Sequence, residues 1–386
     1  MGAIALALFL LQGIATLILL SRLLRGAFRR PPLQPMVTTP DLLGSVSIIV
    51  PTLNEVERIG PCLALLSLQS YEVREIIVVD SNSQDGTREK VEKVAIADAR
   101  FQLRTDDPLP QGWIGRPWAL HNGFLYSSPE SEWILGIDAD TRPQPGLVAS
   151  LVKAAQEENY DLVSLSPQFI LTYPGEWWLQ PALLMTLLYR FDSAGVRNPK
   201  PDSVMANGQC FLIRRTVLEQ LGGYSTAASS FCDDVTLARN VAAAGYKVGF
   251  LDGSKVIKVR MYEGAAQTWR EWGRSLDLKD ACSSSQLQFD LAILSLTQGL
   301  PLPLAIILPL FASEFGSLTL SAVIALNWFL VLIRFVLLFA IVPSYQFSKS
   351  LASWLFWLSP TADPLAVLRI FLSAGKKPTQ WRGRIY

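Results

Sequence analysis

The stretch Trp133-Ile134-Leu135-Gly136-Ile137-Asp138-Ala139-Asp140 is an apolar run that ends in two aspartates separated by one residue. A short apolar run of this kind is typical of a buried strand. Open α/β sheets bind ligands at the carboxyl ends of their strands, and hard divalent cations prefer oxygen ligands. The stretch therefore predicts a buried strand with a cation-binding end. Two acids in a turn before Pro143 are the alternative.

The composition is apolar for a soluble protein. Half of the 386 residues are hydrophobic, 17% are charged, and the net charge is +1. This balance gives no reason to expect a nucleic-acid partner. The four cysteines are far apart and form no Cys-x-x-Cys pair, which favours free thiols over a zinc site. Because His121 is the single histidine, acid–base chemistry is predicted to use carboxylates.

The N-terminal segment is predicted to cross a membrane. Residues 3–20 carry no charge, and about 20 apolar residues span a bilayer. Arg22, Arg25, Arg29 and Arg30 follow at once, so the N-terminus is predicted outside and the next domain inside. A cleaved secretory signal is disfavoured, because no small-x-small cleavage site precedes the arginines.

Further apolar segments lie in the C-terminal part. Residues 291–313 are uncharged and contain three prolines, which should kink a helix, and another run extends to about residue 342. Residues 351–371 are interrupted by prolines and charges. Crossing there would place the basic C-terminal tail outside, against the charge rule. We therefore predict three spans plus one interfacial or re-entrant helix, with a fourth full span as the alternative.

The middle of the chain alternates strand-like and helix-like segments. The strand-like runs are 45–50, 76–80, 133–138 and 162–166, and the helix-like segments are 57–70 and 87–99. This alternation predicts a doubly wound, Rossmann-like α/β sheet. No Gly-x-Gly-x-x-Gly follows the first strand, which disfavours a dinucleotide-binding oxidoreductase. The predicted division is a membrane anchor with a basic flank (1–30), a stiff linker (31–44), the sheet domain (45–275) and a C-terminal membrane region (276–386).

Two polar segments follow the first two predicted strands, Pro51-Thr52-Leu53-Asn54-Glu55 and Asp80-Ser81-Asn82-Ser83-Gln84-Asp85-Gly86-Thr87. Together they resemble the inverting family-2 glycosyltransferases with the GT-A fold, whose usual forms are Pro-x-x-Asn-Glu and Val-Val-Asp-Asp-Gly-Ser-x-Asp-x-Thr. The resemblance extends over residues 46–272 and implies a site for a nucleotide-sugar donor, with Glu55 and Asp80 on the nucleoside. Ser81 departs from the family pattern, which has a second aspartate there. The donor-site residues implied by these segments are Pro51, Asn54, Glu55 and Asp80.

A cation and two carboxylates complete the donor side. Residues 112–123 are similar to the family's Lys-x-x-Ala-Leu-Asn-x-Gly, with Arg116 at the lysine position, where it would bind donor phosphate. An arginine on a solvated helix end is the alternative. Asp138 and Asp140 match the family's Asp-x-Asp, which implies that Asp140 binds Mg²⁺ or Mn²⁺ and that Asp138 binds the metal or the ribose. His121 has no partner nearby in sequence and is predicted to be structural.

The acceptor side is implied by two later segments. Asn207-Gly208-Gln209 resembles the glycine-containing segment that borders the acceptor in this family. Asp233-Asp234-Val235-Thr236-Leu237 is similar to Glu-Asp-x-x-Leu and is predicted to open a helix, where one acid could act as a cap. The resemblance makes Asp234 the general base and Asp233 its neighbour. A single base with direct attack at the anomeric carbon gives inversion. The candidate acceptor-side glycine and glutamine are Gly208 and Gln209.

Two segments bear on the subfamily. Residues 267–272, Gln-Thr-Trp-Arg-Glu-Trp, are close to the Gln-x-x-Arg-Trp motif of processive polysaccharide synthases, but a glutamate is inserted before the tryptophan. Arg270 and Trp272 are therefore secondary candidates, and processive synthesis is disfavoured. Residues 380–386, with 112–123 and 260–262, look like membrane glycosyltransferases of carotenoid and hopanoid pathways. The carotenoid 2'-O-glycosyltransferases of cyanobacteria are the most similar subgroup that these segments suggest.

Residues 175–191 are unusually apolar for a helix in water. Trp177 and Trp178 favour the membrane interface, where an amphipathic helix can lie. We hypothesise that this helix rests on the inner leaflet and guides a lipid hydroxyl toward Asp234. A buried core helix is the alternative.

These features together are interpreted as a membrane-bound, metal-dependent, inverting glycosyltransferase of a bacterial cell or thylakoid membrane, with its catalytic domain in the cytoplasm. It would move one sugar from a nucleotide-sugar to a hydroxyl of a hydrophobic acceptor, first of all a carotenoid or other isoprenoid. A glycerolipid, a hopanoid or a polyprenyl phosphate is the alternative acceptor. A non-catalytic membrane scaffold with a GT-A shell is disfavoured, because such a relic would be expected to lose Asp138, Asp140 or Asp234.

Overall fold

The chain forms two compact units. The computed structural model describes residues 2–106, 108–196, 200–273, 276–311, 317–347, 350–376, 380–381 and 384–385. We call one unit the sheet unit, which consists mainly of Arg29–Ile170 and Ala194–Met261. We call the other the apolar unit, which consists of Met1–Phe28, Leu171–Ser193 and Tyr262–Lys377. The predicted domain boundaries at residues 45 and 275 stay a prediction; Leu171–Ser193, which lies within the predicted sheet domain, belongs to the apolar unit.

A mixed sheet forms the centre of the sheet unit. The strands described in this unit are β1 Val46–Thr52, β2 Val73–Asp80, β3 Phe101–Thr105, β4 Trp133–Ile137, β5 Thr141–Pro143, β6 Leu162–Ser166, β7 Gln168–Ile170, β8 Cys210–Arg214, β9 Val248–Asp252 and β10 Ile257–Val259. The main sheet has the order β3-β2-β1-β4-β8-β6-β9. Strands β1 to β4 are parallel, whereas β8 runs antiparallel to both β4 and β6. In a smaller sheet, β10 pairs with β5 and β7.

Helices cover both faces of the main sheet. The helices described up to residue 243 are α1 Gly2–Gly26, α2 Val56–Leu66, α3 Thr87–Ala97, α4 Gly115–Tyr126, α5 Leu147–Glu158, α6 Pro174–Arg190, α7 Arg215–Gln220 and α8 Asp233–Ala243. Apolar residues of α2, α3 and α5 form the core on one face, and those of α4, α7 and α8 form the core on the other. The predicted doubly wound α/β fold is confirmed. The pattern did not predict β8, which follows the glycine-containing segment of the acceptor side.

The predicted linker at residues 31–44 packs along the sheet unit. The Leu33 amide donates to the Asp252 carbonyl at 2.8 Å, and the Met36 amide donates to Ser150 Oγ at 3.1 Å. Leu42 is 2% exposed. Because Leu42 is buried and these two backbone amides bond to other parts of the sheet unit, we call this segment the packed arm.

The apolar unit contains helices long enough to cross a membrane. Among the described residues, Ala3–Gly26, Leu318–Ser344 and Leu351–Ala374 meet this condition by length and composition. Ser284–Gly299 and Pro301–Phe311 meet it together but are bent by 42° at Leu300. The kink that the prolines predict is therefore present. Leu351–Ala374 is long and apolar enough to span a membrane as a single helix, whereas the predicted span at 291–313 is divided between two helices that reach this length only together.

Buried polar contacts connect these helices. Gln12 of α1 and Asn327 exchange two side-chain hydrogen bonds of 3.0 Å. Arg334 and Asp363 form an ion pair with Nε–Oδ2 at 2.7 Å, and the Gln298 amide donates to Asp363 Oδ1 at 3.1 Å. Arg334 and Asp363 are 4% and 3% exposed. Ionisable groups are rare at such positions because they are costly to bury in an apolar region.

Helix α6 is largely buried within the apolar unit, as the alternative interpretation stated. Trp177 is fully buried, and its ring centroid lies 5.0 Å from that of Phe347. Trp178 donates from Nε1 to Thr361 Oγ1 at 2.8 Å. Since α6 carries apolar residues on most of its surface, it packs inside a group of apolar helices. The hypothesis that this helix guides a lipid requires Trp177 to contact that lipid. The buried position of Trp177 does not allow such a contact.

Candidate active site

The two polar segments after β1 and β2 form one connected corner at the carboxyl edge of the sheet. Asp80 is fully buried and accepts hydrogen bonds from the Ser83 amide at 3.0 Å and the Thr52 hydroxyl at 3.2 Å. Asn54 adopts a left-handed backbone conformation with φ of 54°. Its side-chain oxygen accepts from the Gln84 amide at 3.0 Å, which ties the first segment to the second.

The other predicted donor-site residues lie at the same corner. Pro51 belongs to β1 and pairs in register with Val79 of β2. Glu55 is 6% exposed, its amide donates to Thr87 Oγ1 at 2.9 Å, and its carboxylate lies 3.8 Å from the Arg58 guanidinium. Neighbouring parallel strands end at the same edge, so these residues are brought together by the sheet.

Arg116 at the start of α4 is the centre of the site. Its Nε and Nη2 donate to Asp138 Oδ1 at 3.0 and 2.9 Å, and Nη1 donates to Asp233 Oδ2. Nη2 also donates to the Gly208 carbonyl at 2.7 Å. The guanidinium therefore joins the end of β4 to the start of α8. An arginine has five N–H donors, and these four contacts use most of them.

The contact of Arg116 with donor phosphate, which the resemblance implies, stays a prediction. The Arg116 side chain is 12% exposed and faces carboxylates on two sides. The solvated helix end, which was the alternative, is excluded by this burial. Binding of phosphate by Arg116 would require some of these contacts to be exchanged.

Gly208 lies between Arg116 and the predicted base. Its amide donates to Asp234 Oδ2 at 2.6 Å, while its carbonyl accepts from Arg116. A Cβ at this position would lie 2.6 Å from Arg116 Nη2, so a side chain would displace the guanidinium. Asp234 Oδ1 accepts from the Val235 amide at 2.9 Å. The residue at the N-cap of α8 is Cys232, without a side-chain cap bond, so neither aspartate acts as the cap.

Burial and neighbouring charges have opposing effects on the pKa of each charged group in the site, and the net shift is upward for Asp233, Asp234 and Arg116. Burial raises the pKa of Asp233 to about 7, with Arg116 lowering it and Asp234 raising it. Burial also raises the pKa of Asp234, while Arg116 and two backbone amides oppose this shift. Burial alone would lower the pKa of Arg116, but Asp138, Asp233 and Asp234 raise it well above its usual value. The site therefore holds one permanent cation among three carboxyl groups.

Asp138 and Asp140, which follow β4, are the two carboxylates that could hold a divalent cation. Arg116 occupies Asp138 Oδ1, and the described residues give Asp138 Oδ2 no hydrogen bond. Asp140 is 9% exposed. No group of three or more ligating side chains is found in the described part of the chain. Two carboxylates would suffice for Mg²⁺ or Mn²⁺ when substrate phosphates and water supply the remaining ligands.

Two residues of this region were not predicted from the sequence. Asp106, 3% exposed, follows β3 at the same edge and accepts from the Ser81 hydroxyl at 2.7 Å. Its position directly after a strand was a usable signal, and it contacts the residue that departs from the family pattern. Tyr224 is buried beside Arg116 and Asp233, and burial raises its pKa. No local pattern marks Tyr224.

The remaining candidates occupy different surroundings. Gln209 is 5% exposed, and its carbonyl accepts from the Asp138 amide at 3.4 Å. His121 accepts from the Tyr224 amide at 3.3 Å and stacks on Trp118, in agreement with a structural role. Arg270 and Trp272 belong to the apolar unit, where Arg270 is 73% exposed and Trp272 is buried. Arg382, Gly383 and Tyr386 of the C-terminal motif lie outside the described residues.

A mixed sheet covered on both faces, with a carboxylate cluster at the edge where β1, β2 and β4 end, defines a GT-A fold. Residues 47–222 match the model of the family described as glycosyl transferase family 2. This part of the chain is therefore similar to that family, as the motifs within it imply.

Relatives of known name share the sheet region. The chain is 26% identical over 242 residues to 4,4'-diaponeurosporenoate glycosyltransferase of Staphylococcus haemolyticus, a match that covers 63% of each chain. It is 26% identical over 234 residues to the probable glycosyltransferase YdaM of Bacillus subtilis, covering 60% of this chain and 53% of that protein. The matched region thus spans less than two thirds of the length of these curated relatives.

One solved structure is similar over nearly the whole chain. It is the mannosyltransferase PcManGT from Pyrobaculum calidifontis in complex with GDP-Man and Mn²⁺, with a TM-score of 0.56 and 20% identity. The similarity covers 97% of this chain and 98% of that one. At this identity the comparison shows a shared fold, which includes the apolar unit as well as the sheet unit.

Proposed function

We propose that this protein is an integral-membrane, metal-dependent, inverting glycosyltransferase. It transfers one sugar from a nucleotide-sugar to a hydroxyl of a hydrophobic acceptor, and a carotenoid or other isoprenoid alcohol is the first choice. The observation that carries this proposal is the cluster of Asp138, Arg116, Asp233 and Asp234 at the carboxyl edge of a family-2 domain. The same chain carries a unit of apolar helices long enough to cross a bilayer.

Asp234 is proposed as the general base. Both of its oxygens are held by backbone amides, those of Gly208 and Val235, so the carboxylate has a fixed orientation. An acceptor hydroxyl has a much higher pKa than a carboxylate, so the proton moves to Asp234 only as the new bond to the anomeric carbon forms. The raised pKa of Asp234 makes it a stronger base once it is deprotonated. A single displacement of this kind inverts the anomeric configuration.

The donor is proposed to bind at the corner formed by the ends of β1, β2 and β4. Glu55 and Asp80 are fixed there by local hydrogen bonds and would contact the nucleoside. Asp138 and Asp140 would hold a Mg²⁺ or Mn²⁺ ion, which would neutralise the charge that develops on the departing nucleoside diphosphate. PcManGT, which shares the fold, was solved with GDP-Man and Mn²⁺.

The relatives support two kinds of acceptor. A carotenoid acceptor is favoured by the similarity to 4,4'-diaponeurosporenoate glycosyltransferase. A polyprenyl-linked acceptor is the second candidate, because the chain is also 24% identical to N-acetylglucosaminyl-diphospho-decaprenol L-rhamnosyltransferase of Mycobacterium tuberculosis. Both acceptors are apolar, in keeping with the apolar unit.

A transfer assay on purified protein in lipid tests this function. Nucleotide-sugars are supplied one at a time with Mn²⁺ or Mg²⁺, and a total lipid extract is the acceptor. We expect a sugar-labelled lipid whose mass identifies both substrates, and we expect none after chelation. Absence of transfer from every donor, together with absence of metal-dependent nucleotide binding, would favour the scaffold interpretation.

The pH dependence of transfer should have an unusually high acid limb. A base must be deprotonated to accept a proton, and burial raises the pKa of Asp234 above the ordinary carboxyl value of 3.8 and that of Asp233 to about 7. Activity should therefore be present at neutral pH and fall as the pH drops toward the acid range. The apparent pKa of this fall describes Asp233 and Asp234 together rather than either residue alone. The measurement is kcat/KM against pH. Asp233→Asn should move the acid side of this profile to lower pH. A wild-type profile that falls only near pH 3.8 would contradict the assignment of Asp234 as the general base.

We also propose that residues 351–374 lie at the membrane surface without crossing it. Pro301–Ile307 packs against Leu318–Ile341. We infer that these two helices run antiparallel, which would place Ser284 and Ile341 at the same end of the pair. Ser373 donates to Asp277 Oδ1 at 2.7 Å and accepts from Lys279 at 2.8 Å, just before that end. Leu351 follows Ile341 closely, so both ends of 351–374 lie on one side.

Labelling with a membrane-impermeant maleimide tests this topology. In a Cys282→Ser background, Lys376→Cys should react only in vesicles of the orientation in which Asp202→Cys of the sheet unit reacts. Both positions are exposed. Reaction of Lys376→Cys from the opposite side would show that 351–374 crosses the membrane.

A further inference from the structure

The guanidinium of Arg116 occupies Asp138, one of the two carboxylates that would hold the metal. Two of its N–H groups converge on Asp138 Oδ1 at 3.0 and 2.9 Å, and its Nη1 contacts Asp233. The Gly208 carbonyl accepts from the same guanidinium at 2.7 Å and limits its movement on that side. The protein itself therefore supplies a cation to the carboxylate cluster.

We infer that Arg116 is a positioning residue that makes metal binding conditional on the nucleotide. A divalent ion on Asp138 would lie close to a fixed positive charge, and like charges this close repel strongly in a partly buried site. A nucleoside diphosphate brings negative charge to the same place, which offsets this repulsion and offers the guanidinium a new bidentate partner. The ion and the nucleotide would then each bind tightly only when the other is also bound. This inference rests on the proposed function.

The coupling is reciprocal by thermodynamic necessity. If the nucleotide raises the affinity for the ion, the ion raises the affinity for the nucleotide by the same factor. Such coupling would restrict donor binding to the ion-loaded form and keep free Mn²⁺ or Mg²⁺ from occupying the site alone.

The test is a Mn²⁺ titration of the full chain in detergent, by electron paramagnetic resonance of free Mn²⁺, with and without UDP or GDP. In the wild type we expect the effective nucleotide to tighten Mn²⁺ binding at least about fivefold. In Arg116→Gln we expect Mn²⁺ alone to bind about tenfold tighter than in the wild type, because one nearby positive charge is removed, and the coupling to shrink. Arg116→Lys keeps the charge and should keep weak binding of Mn²⁺ alone.

Arg74→Gln is the matched control. Arg74 carries the same charge in the same unit but pairs with Glu130 and the Gly44 carbonyl at the opposite end of β2, so its loss should leave Mn²⁺ affinity unchanged. Equal Mn²⁺ affinity in Arg116→Gln and the wild type, or weaker binding in the variant, would overturn the inference even if sugar transfer is observed. Failure of the proposed function would instead appear as a wild type that binds no nucleotide and transfers no sugar. Should Arg116→Gln not fold, Arg116→Lys still tests the inference, since binding of Mn²⁺ alone far tighter than in the wild type would contradict it.

Discussion

Asp234→Asn is expected to lower the rate of sugar transfer about 10³-fold, within the range that general bases contribute. Asparagine has nearly the same shape and can still accept from the Gly208 amide, which donates to Asp234 at 2.6 Å in the wild type. It cannot accept a proton from an acceptor hydroxyl. The loss should therefore appear in kcat, with a smaller effect on the KM for the donor.

The matched control for this variant is Asp202→Asn. Asp202 is an exposed carboxylate of the same unit, so its neutralisation should leave the rate unchanged. Asp233→Asn is more informative than a control, because Asp233 contacts Arg116 and lies next to the base. If Asp234→Asn retains transfer within about tenfold of the wild type while Asp233→Asn loses it, Asp233 is the base and the role assigned to Asp234 is wrong.

Breaking the ion pair between Arg334 and Asp363 is expected to destabilise the apolar unit by about 3–5 kcal/mol. Nε and Nη2 of Arg334 donate to the two oxygens of Asp363 at 2.7 and 3.2 Å, and both side chains are almost fully buried. Arg334→Ala leaves a buried carboxylate without its cation, and Asp363→Ala leaves a buried guanidinium without its anion. Loss of stability should be measured as the shift of reversible unfolding in mixed detergent.

A double variant separates the two contributions. Arg334→Met combined with Asp363→Leu removes both charges and should recover most of the lost stability, because an apolar pair of similar volume needs no desolvation of charge. The control is Arg25→Ala, which breaks a pair in which Arg25 is 54% exposed, and it should change stability by less than about 1 kcal/mol. Equal, small effects of all these variants would show that the buried pair does not stabilise the unit.

The sequence predicted β1, β2 and β4 of the parallel part of the sheet because each of these strands is a largely apolar run that ends in polar residues. It did not predict β3, whose sequence Phe-Gln-Leu-Arg-Thr is not such a run. Runs of this kind at 46–52, 73–80 and 133–137 are buried on both faces, which removes the alternation that would otherwise confuse strand and loop. Since parallel strands end at a common edge, Asp80, Asp138 and the first polar segment could be placed together without coordinates. The family motifs then supplied roles for them.

Other features depend on contacts that no local pattern encodes. The packing of Trp177 inside the apolar unit depends on Phe347, and the packed arm at residues 31–44 depends on partners as distant as Asp252. Hydropathy reports how apolar a segment is, but it does not report whether lipid or protein covers it. For this reason a helix predicted at the membrane surface is found buried.

The sequence by itself determined that strands and helices alternate, that acidic residues end the strands, and that apolar helices of membrane length accompany them, because these are properties of spacing and composition. Only the tertiary structure decided what each charge faces. Arg116 lies 22 residues from Asp138 and 117 residues from Asp233 along the chain, yet one guanidinium contacts both. The pairing is decided by how α4, β4 and α8 pack on the sheet, since a long charged side chain takes the buried partners that the fold brings within its reach.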